Sequence, residues 1–107
     1  MDVFQVRDVR EIVDKLNKVL ESRVRLAVMS ALSVNEGLTF NSLKEMLNVT
    51  DGNLASHIAA LEQERYLTVK KRFVGKKPQT TYALTTAGRK AFAEHIDALE
   101  QLIRSSQ

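Results

Sequence analysis

Apolar residues recur at helical spacing over most of the chain and change to a sustained strand-like pattern only between about residues 67 and 85. Val9, Ile12, Val13, Leu16, Val19 and Leu20 follow the i, i+3, i+4 repeat of a helix with one buried face. Asp8, with Glu11 three residues on, resembles a capping box, so a first helix is expected over 8–20. Ser22 is a natural N-cap for a second helix, which carries Val24, Ala27, Val28, Ala31 and Leu32 on one side. Gly37 is expected to close it as the left-handed residue past its end. Leu38–Phe40 is a short β-prone piece. Asn41 is expected to cap a brief helix through Asn48, with Leu43, Met46 and Leu47 facing inward.

A tight turn at Asn48-Val49-Thr50 then leads into the stretch "DGNLASHIAALEQ". Asn48 tolerates the left-handed region, and Thr50 or Asp51 can cap the next helix. Leu54, Ile58 and Leu61 form the buried line of that helix. Two β-branched and aromatic runs follow, Leu67–Val74 and Thr80–Thr85, around the five-residue loop "GKKPQ", which reads as a hairpin. Apolar residues fall on both parities of the first run, so the pattern leaves the register open. Thr85 or Thr86 caps a last helix with Phe92, Ile96, Leu99 and Ile103 in line, flanked by Ala91, Ala98 and Leu102.

These elements predict a mainly α fold with a small β-hairpin, an α+β winged helix-turn-helix. Two short helices joined by a three-to-four-residue turn form the helix-turn-helix. A chain of 107 residues is one domain by length, and at this size it buries roughly two-thirds of its unfolded surface. The expected organisation is one domain over 1–107. It holds a helix-turn-helix over 41–64, a hairpin or wing over 67–85, and terminal helices over 8–20 and 86–104.

Composition narrows the function. The chain has no cysteine, which excludes disulfides and thiolate metal sites and agrees with a reducing compartment. "MDVFQVRD" lacks the basic and apolar regions of a signal peptide. "LAVMSAL" is far short of the about 20 apolar residues that span a membrane. A cytoplasmic protein is the natural expectation. The net charge is only +3, but its distribution is uneven. Residues 65–90 hold eight of the 16 basic residues (Arg65, Lys70, Lys71, Arg72, Lys76, Lys77, Arg89, Lys90) and no acid. That segregation makes a local positive field suited to a polyanion.

The helix opening at Asp51 suits DNA in a second way. At about 100° per residue, the direction opposite Leu54, Ile58 and Leu61 falls on Gly52, Asn53, Ser56, Ala60 and Gln63. These residues are small or hydrogen-bonding, and none is charged, so the helix can approach a surface closely. Asn pairs bidentately with an adenine edge, and Ser bonds a base or a phosphate. The basic hairpin can lie on the backbone or dip a cation into a minor groove. With Ser42 and Thr50 included, the candidate DNA contacts are Ser42, Thr50, Gly52, Asn53, Ser56, His57, Lys71, Arg72, Lys76 and Lys77.

"LTFNSLKEMLNVTDGNLASHIAALEQERYLTV" followed by "FVGKKPQTTYALTTAGRKAF" resembles the compact one-domain winged helix-turn-helix transcriptional regulators of the MarR/ArsR-like group. The resemblance covers roughly residues 22–93. Its most specific part is the wing with "TTYALTTAGR" directly after it. It implies a homodimeric repressor or activator, with Asn53, Ser56 and His57 on the recognition helix and Arg72, Lys76 and Lys77 on the wing. Related sequences usually have a small residue in place of Lys44 and glycine in place of Arg65. A left-handed arginine there costs ~1 kcal/mol relative to glycine.

Catalysis finds little support. Ser56 and His57 are adjacent on a helix and point about 100° apart, so they cannot act as nucleophile and base. Two histidines without cysteine make a poor metal site. No catalytic residue, metal or cofactor is expected. The long apolar stripes of the terminal helices suit an isologous two-fold interface. Its candidate residues are Val9, Ile12, Val13, Leu16, Phe92, Ile96, Leu99, Leu102 and Ile103. The expected partners are therefore double-stranded DNA and a second copy, with no membrane. A small-molecule effector is left open, because no residue cluster argues for one. The alternative is a protein-interaction module without sequence-specific DNA binding, which would expose apolar residues where this chain is polar and basic.

Overall fold

Asn17 divides the N-terminal segment. The structure, a computed structural model, describes residues 6–106, so most of the stretch weighed above as a signal peptide lies outside the described residues. The single helix expected over 8–20 is two pieces: α1 (Val6–Val13) and a 3-10 turn over Lys18–Leu20. The Asn17 side chain accepts the Val19 N–H and so starts the second piece. Its own N–H leaves the helical ladder for Nδ1 of His95, 2.9 Å away. A side-chain acceptor in place of the i−4 carbonyl breaks the helix even though the apolar repeat continues. Asp8 lies in the first turn of α1 rather than capping it, where a carboxylate still suits the helix dipole.

Helix α2 (Arg23–Ser33) is capped by Ser22, as the sequence predicts. It ends through Val34, without a left-handed glycine. Gly37 does not terminate it; a side chain there would meet Thr81, so the residue belongs to the approach of the next segment to the sheet. Strand β1 (Leu38–Thr39) leads straight into α3 (Phe40–Leu47). The cap of α3 is Thr39, whose hydroxyl accepts the Ser42 N–H; the expected Asn41 is two residues too late. Leu43 faces the core, whereas Met46 is 55% exposed and not inward as predicted.

Asn48 closes α3 at φ 52°, in the left-handed region, and Thr50 caps α4 (Asp51–Gln63) through the Asn53 N–H. Strands β2 (Leu67–Val74) and β3 (Lys77–Leu84) pair antiparallel from Leu67↔Leu84 to Val74↔Lys77. The connection is thus the two-residue turn Gly75-Lys76, not a five-residue loop, and the glycine at its first position has φ +65°. A tight hairpin turn needs that positive φ to match the twist of its strands. Strand β1 adds to the far edge of β3 through Leu38↔Tyr82 and Thr39↔Thr81, so the sheet has three strands in the order β1-β3-β2. Thr85 caps α5 (Thr86–Ser105) through the Gly88 N–H.

One core joins these pieces: Leu20, Val28, Met29, Leu32, Leu43, Leu54, Ile58, Leu61, Leu67 and Leu84. The register resolves the double parity of β2. Leu67, Val69, Lys71 and Phe73 share one face with their partners Leu84, Tyr82, Thr80 and Pro78, and the other face carries Thr68, Lys70, Arg72 and Val74.

Candidate nucleic-acid interface

A side-chain ion pair bridges the turn between the two helices of the helix-turn-helix. Lys44 on α3 and Asp51 on α4 form an ion pair of 2.7 Å across the turn. Both ends are exposed, so it steers the turn and contributes little stability. The capping hydroxyl of Thr39 also donates to the Ser42 hydroxyl at 3.0 Å, leaving the Ser42 proton for an outside acceptor.

Helix α4 buries Leu54, Ile58 and Leu61 and exposes Gly52, Asn53, Ala55, Ser56, Ala59 and Gln63. Ala60, expected on the outer face, is half covered, and Ala55 and Ala59 stand in the open instead. Helix α2 packs against α4, and Arg25 donates from Nε to Nδ1 of His57 at 3.0 Å and from a terminal guanidinium nitrogen to the Val19 carbonyl. The exposed arc is rotated towards Ala55 and Ala59 but keeps its character of small side chains. His57 is half-buried at the shoulder of the arc. Burial, and secondarily the Arg25 charge, push its pKa down, so the neutral ring is favoured. With Nδ1 accepting, the remaining proton sits on Nε2.

Helix α4 ends in a Schellman arrangement. The Tyr66 N–H reaches the Leu61 carbonyl and the Arg65 N–H reaches the Glu62 carbonyl. Arg65 occupies the left-handed position at φ +62°, as the departure from glycine in related sequences implies. The Arg65 carbonyl accepts the Thr85 hydroxyl at 2.7 Å, tying the end of α4 to the start of α5. Gly88 makes this junction possible: a β-carbon there would overlap the Tyr66 carbonyl.

The wing carries Lys70, Lys71, Arg72, Lys76 and Lys77, all exposed, and no acid. Beside these cations Phe73 is 73% and Val74 55% exposed. Sequence reasoning passed over this apolar tip, though two adjacent apolar residues at a predicted turn were visible. It also missed Arg25, which no spacing rule links to His57. His95 is 3% exposed, not a free ligand on the last helix; burial lowers its pKa against a smaller opposing effect of Glu21. Among the described residues no group of three or more His, Asp or Glu could hold a metal. Among the same residues no helix is long and apolar enough to cross a membrane.

A family model described as a winged helix DNA-binding domain matches residues 24–103. The chain belongs to that family. It is 36% identical over 88 residues to the uncharacterized protein MJ0432 of Methanocaldococcus jannaschii, covering 82% of this chain and 96% of that one. Its fold is similar to that of a transcriptional regulator homologue from Pyrococcus horikoshii OT3, with TM-score 0.82 and 25% identity over 95% of this chain and 99% of the other. It is also similar to MepR of S. aureus in a structure of a MepR–DNA complex, with TM-score 0.73 and 17% identity over 94% and 83% of the two chains. The fold is thus that of MarR-type winged-helix regulators, and the chain carries a winged helix DNA-binding domain.

On the candidate dimer face, α1 packs on α5 of its own chain. Ile12 is already 8% exposed within the chain, so it has little surface left for a partner. Val13 and Ile103 are exposed, at 45% and 60%, and Val9, Leu16, Phe92, Ile96, Leu99 and Leu102 are half-buried.

Proposed function

We propose that the chain is a cytoplasmic, homodimeric, sequence-specific regulator of transcription that reads double-stranded DNA. The observation that carries this reading is the pairing of a small-residue helix face with an acid-free basic wing. Asn53 and Ser56 reach base edges from α4, where Gly52, Ala55 and Ala59 allow close approach. Ser42, Thr50 and the Nε2–H of His57 donate to phosphates at the rim. Lys71, Arg72, Lys76 and Lys77 grip the backbone beside the wing and supply most of the affinity. Ser56 stands exposed while His57 is turned to Arg25, so the pair has no catalytic role.

Dimerisation draws support from shape. The radius of gyration is 16.5 Å, whereas a compact chain of this length has about 13 Å. Helix α5, about 30 Å long, leaves Ile103 uncovered at its far end. A two-fold partner covering α1 and α5 would place two copies of α4 in successive major grooves about 34 Å apart.

The protein-interaction reading draws on one observation, the exposed Phe73 and Val74 at the wing tip. Titrating duplex DNA at two salt concentrations separates the two. A DNA regulator binds at low salt, and log K falls with log salt by roughly 0.9 per neutralised phosphate. Absence of binding at low salt, or binding indifferent to salt, sinks the DNA reading.

A further inference from the structure

Phe73 is out of place on physical grounds. A large aromatic side chain in a strand normally gains its stability from burial or from a cross-strand partner. Its partner in the register is Pro78, yet Phe73 remains 73% exposed with that residue opposite it. Pairing with Pro78 therefore does not account for it. Nor does the core: the last half-buried apolar residues of this face are Val69 and Tyr82, and Phe73 lies four residues beyond Val69, about 13 Å along the strand. Pro78 fits the position because β1 pairs only as far as Thr81, so the missing N–H falls on an open edge of β3.

The surroundings name the occupant. Lys71 shares the face of Phe73, Arg72 precedes it on the opposite face, and Lys76 and Lys77 stand at the turn. An apolar prow ringed by cations is a poor fit for an apolar protein groove, where the charges would be left unpaired and dry. It suits a slot with phosphates on both rims and apolar sugar and base faces within. The minor groove is such a slot, about 6 Å wide and about 7.5 Å deep, a depth smaller than the about 13 Å of strand between Val69 and Phe73.

We propose that Phe73 is a wedge that the wing drives into the minor groove, partly unstacking a base step, while Lys71, Arg72, Lys76 and Lys77 hold the phosphates on either side. It deepens the DNA-binding reading and rests on it. Side chains of this kind unstack steps and kink the duplex, and flexible pyrimidine–purine steps yield most cheaply. Phe73 thereby adds a preference for deformable sequence at positions where no hydrogen bond is made to a base.

The test uses the full chain and duplexes of about two helical turns that contain TA steps, with 2-aminopurine placed at successive positions. Wild type is expected to raise the fluorescence at a step away from the major-groove contacts. Phe73→Ala is expected to bind about tenfold more weakly, with no rise and an unchanged salt slope. Phe73→Leu restores the rise, and Lys76→Ala keeps it while lowering the salt slope. The wedge is overturned if wild type binds in a salt-dependent way but raises fluorescence nowhere, or if Phe73→Ala matches wild type in affinity and signal; the DNA-binding reading survives both results. It is also overturned if Phe73→Ala changes the sedimentation of the free protein, which would mean that the residue covers a second copy. Failure of wild type to bind any duplex at low salt overturns both readings together.

Discussion

Arg25 on α2 donates from Nε to Nδ1 of His57 on α4 at 3.0 Å. The bond crosses from the helix that supports the helix-turn-helix to the helix proposed to read DNA, and it requires an unprotonated ring nitrogen. Both histidines are pushed below the ordinary value of 6.5, chiefly by burial. For a base this means that the fold prefers the neutral ring. Above about pH 6.5 the folded and unfolded chains are both neutral at these sites and nothing is lost. As pH falls through 6.5 towards the folded pKa, the unfolded chain takes up protons that the fold refuses, and stability drops.

Urea unfolding at about pH 7.5 and about pH 5 is therefore expected to show a lower midpoint at the acid pH, with the slope unchanged. His57→Gln and His95→Gln should each flatten part of that dependence. A midpoint that rises on acidification would show that neither ring is held neutral by the fold.

At the other end of α4, Gly88 lies against the Tyr66 carbonyl. The neighbour is backbone, and it is fixed on both sides: the Tyr66 N–H closes α4, and its carbonyl accepts the Thr85 N–H. A methyl group cannot be accommodated by a rotamer change. Gly88→Ala is expected to cost about 1–3 kcal/mol, seen as a drop in Tm of several degrees. An unchanged Tm would mean that α5 can slide away from α4 freely.

Arg65 makes the opposite prediction. It holds φ +62°, its side chain is exposed, and only its backbone joins the junction. Arg65→Gly relieves the strain of a side chain in the left-handed region, so a gain of up to about 1 kcal/mol is expected. A lower Tm would show that the guanidinium contributes something at this corner that offsets the strain.

These positions also show what a linear sequence reveals and what it does not. The cap at Ser22, the left-handed Asn48 and the buried line Leu54-Ile58-Leu61 follow from local chemistry, and of the paired cap candidates Thr50/Asp51 and Thr85/Thr86 the chain uses the first of each. The break in the first helix does not follow from it, because the residue that causes it, His95, lies 78 positions away. The bond that holds His57 is hidden in the same way, since Arg25 lies 32 positions before it. The hairpin turn was misread by weighting Pro78 as a loop residue, when an open strand edge tolerates it. The candidate contacts of the helix and wing were legible as surface chemistry. Phe73 was not, because periodicity alone assigns an aromatic in a strand to a core.

The division of labour between helix and wing is testable by comparing two substitutions. Asn53 is exposed at the start of α4, and its side chain takes no part in the Thr50 cap, which uses only its N–H. Asn53→Ala should thus leave the helix intact and reduce discrimination between preferred and random duplexes by ~1–3 kcal/mol. Lys76→Ala should weaken all duplexes alike and lower the salt slope by about one. If Asn53→Ala left site preference untouched, the reading face would have to be sought elsewhere on α4.

Val13 and Ile103 are exposed in the single chain, at 45% and 60%, so charging them should cost the isolated fold little. In a two-fold interface over α1 and α5 the same charges would be buried without partners, at a cost of at least about 2 kcal/mol each. Wild type is therefore expected to sediment as a dimer at micromolar concentration, and the double variant Val13→Glu, Ile103→Glu as a monomer with an unchanged far-ultraviolet spectrum. The monomer should still bind duplex DNA through one helix and one wing, but it should lose the added affinity for two half-sites one helical turn apart, because the second half-site is no longer reached at high effective concentration. Wild type sedimenting as a monomer would remove the terminal helices from the interface and leave the uncovered end of α5 for another partner.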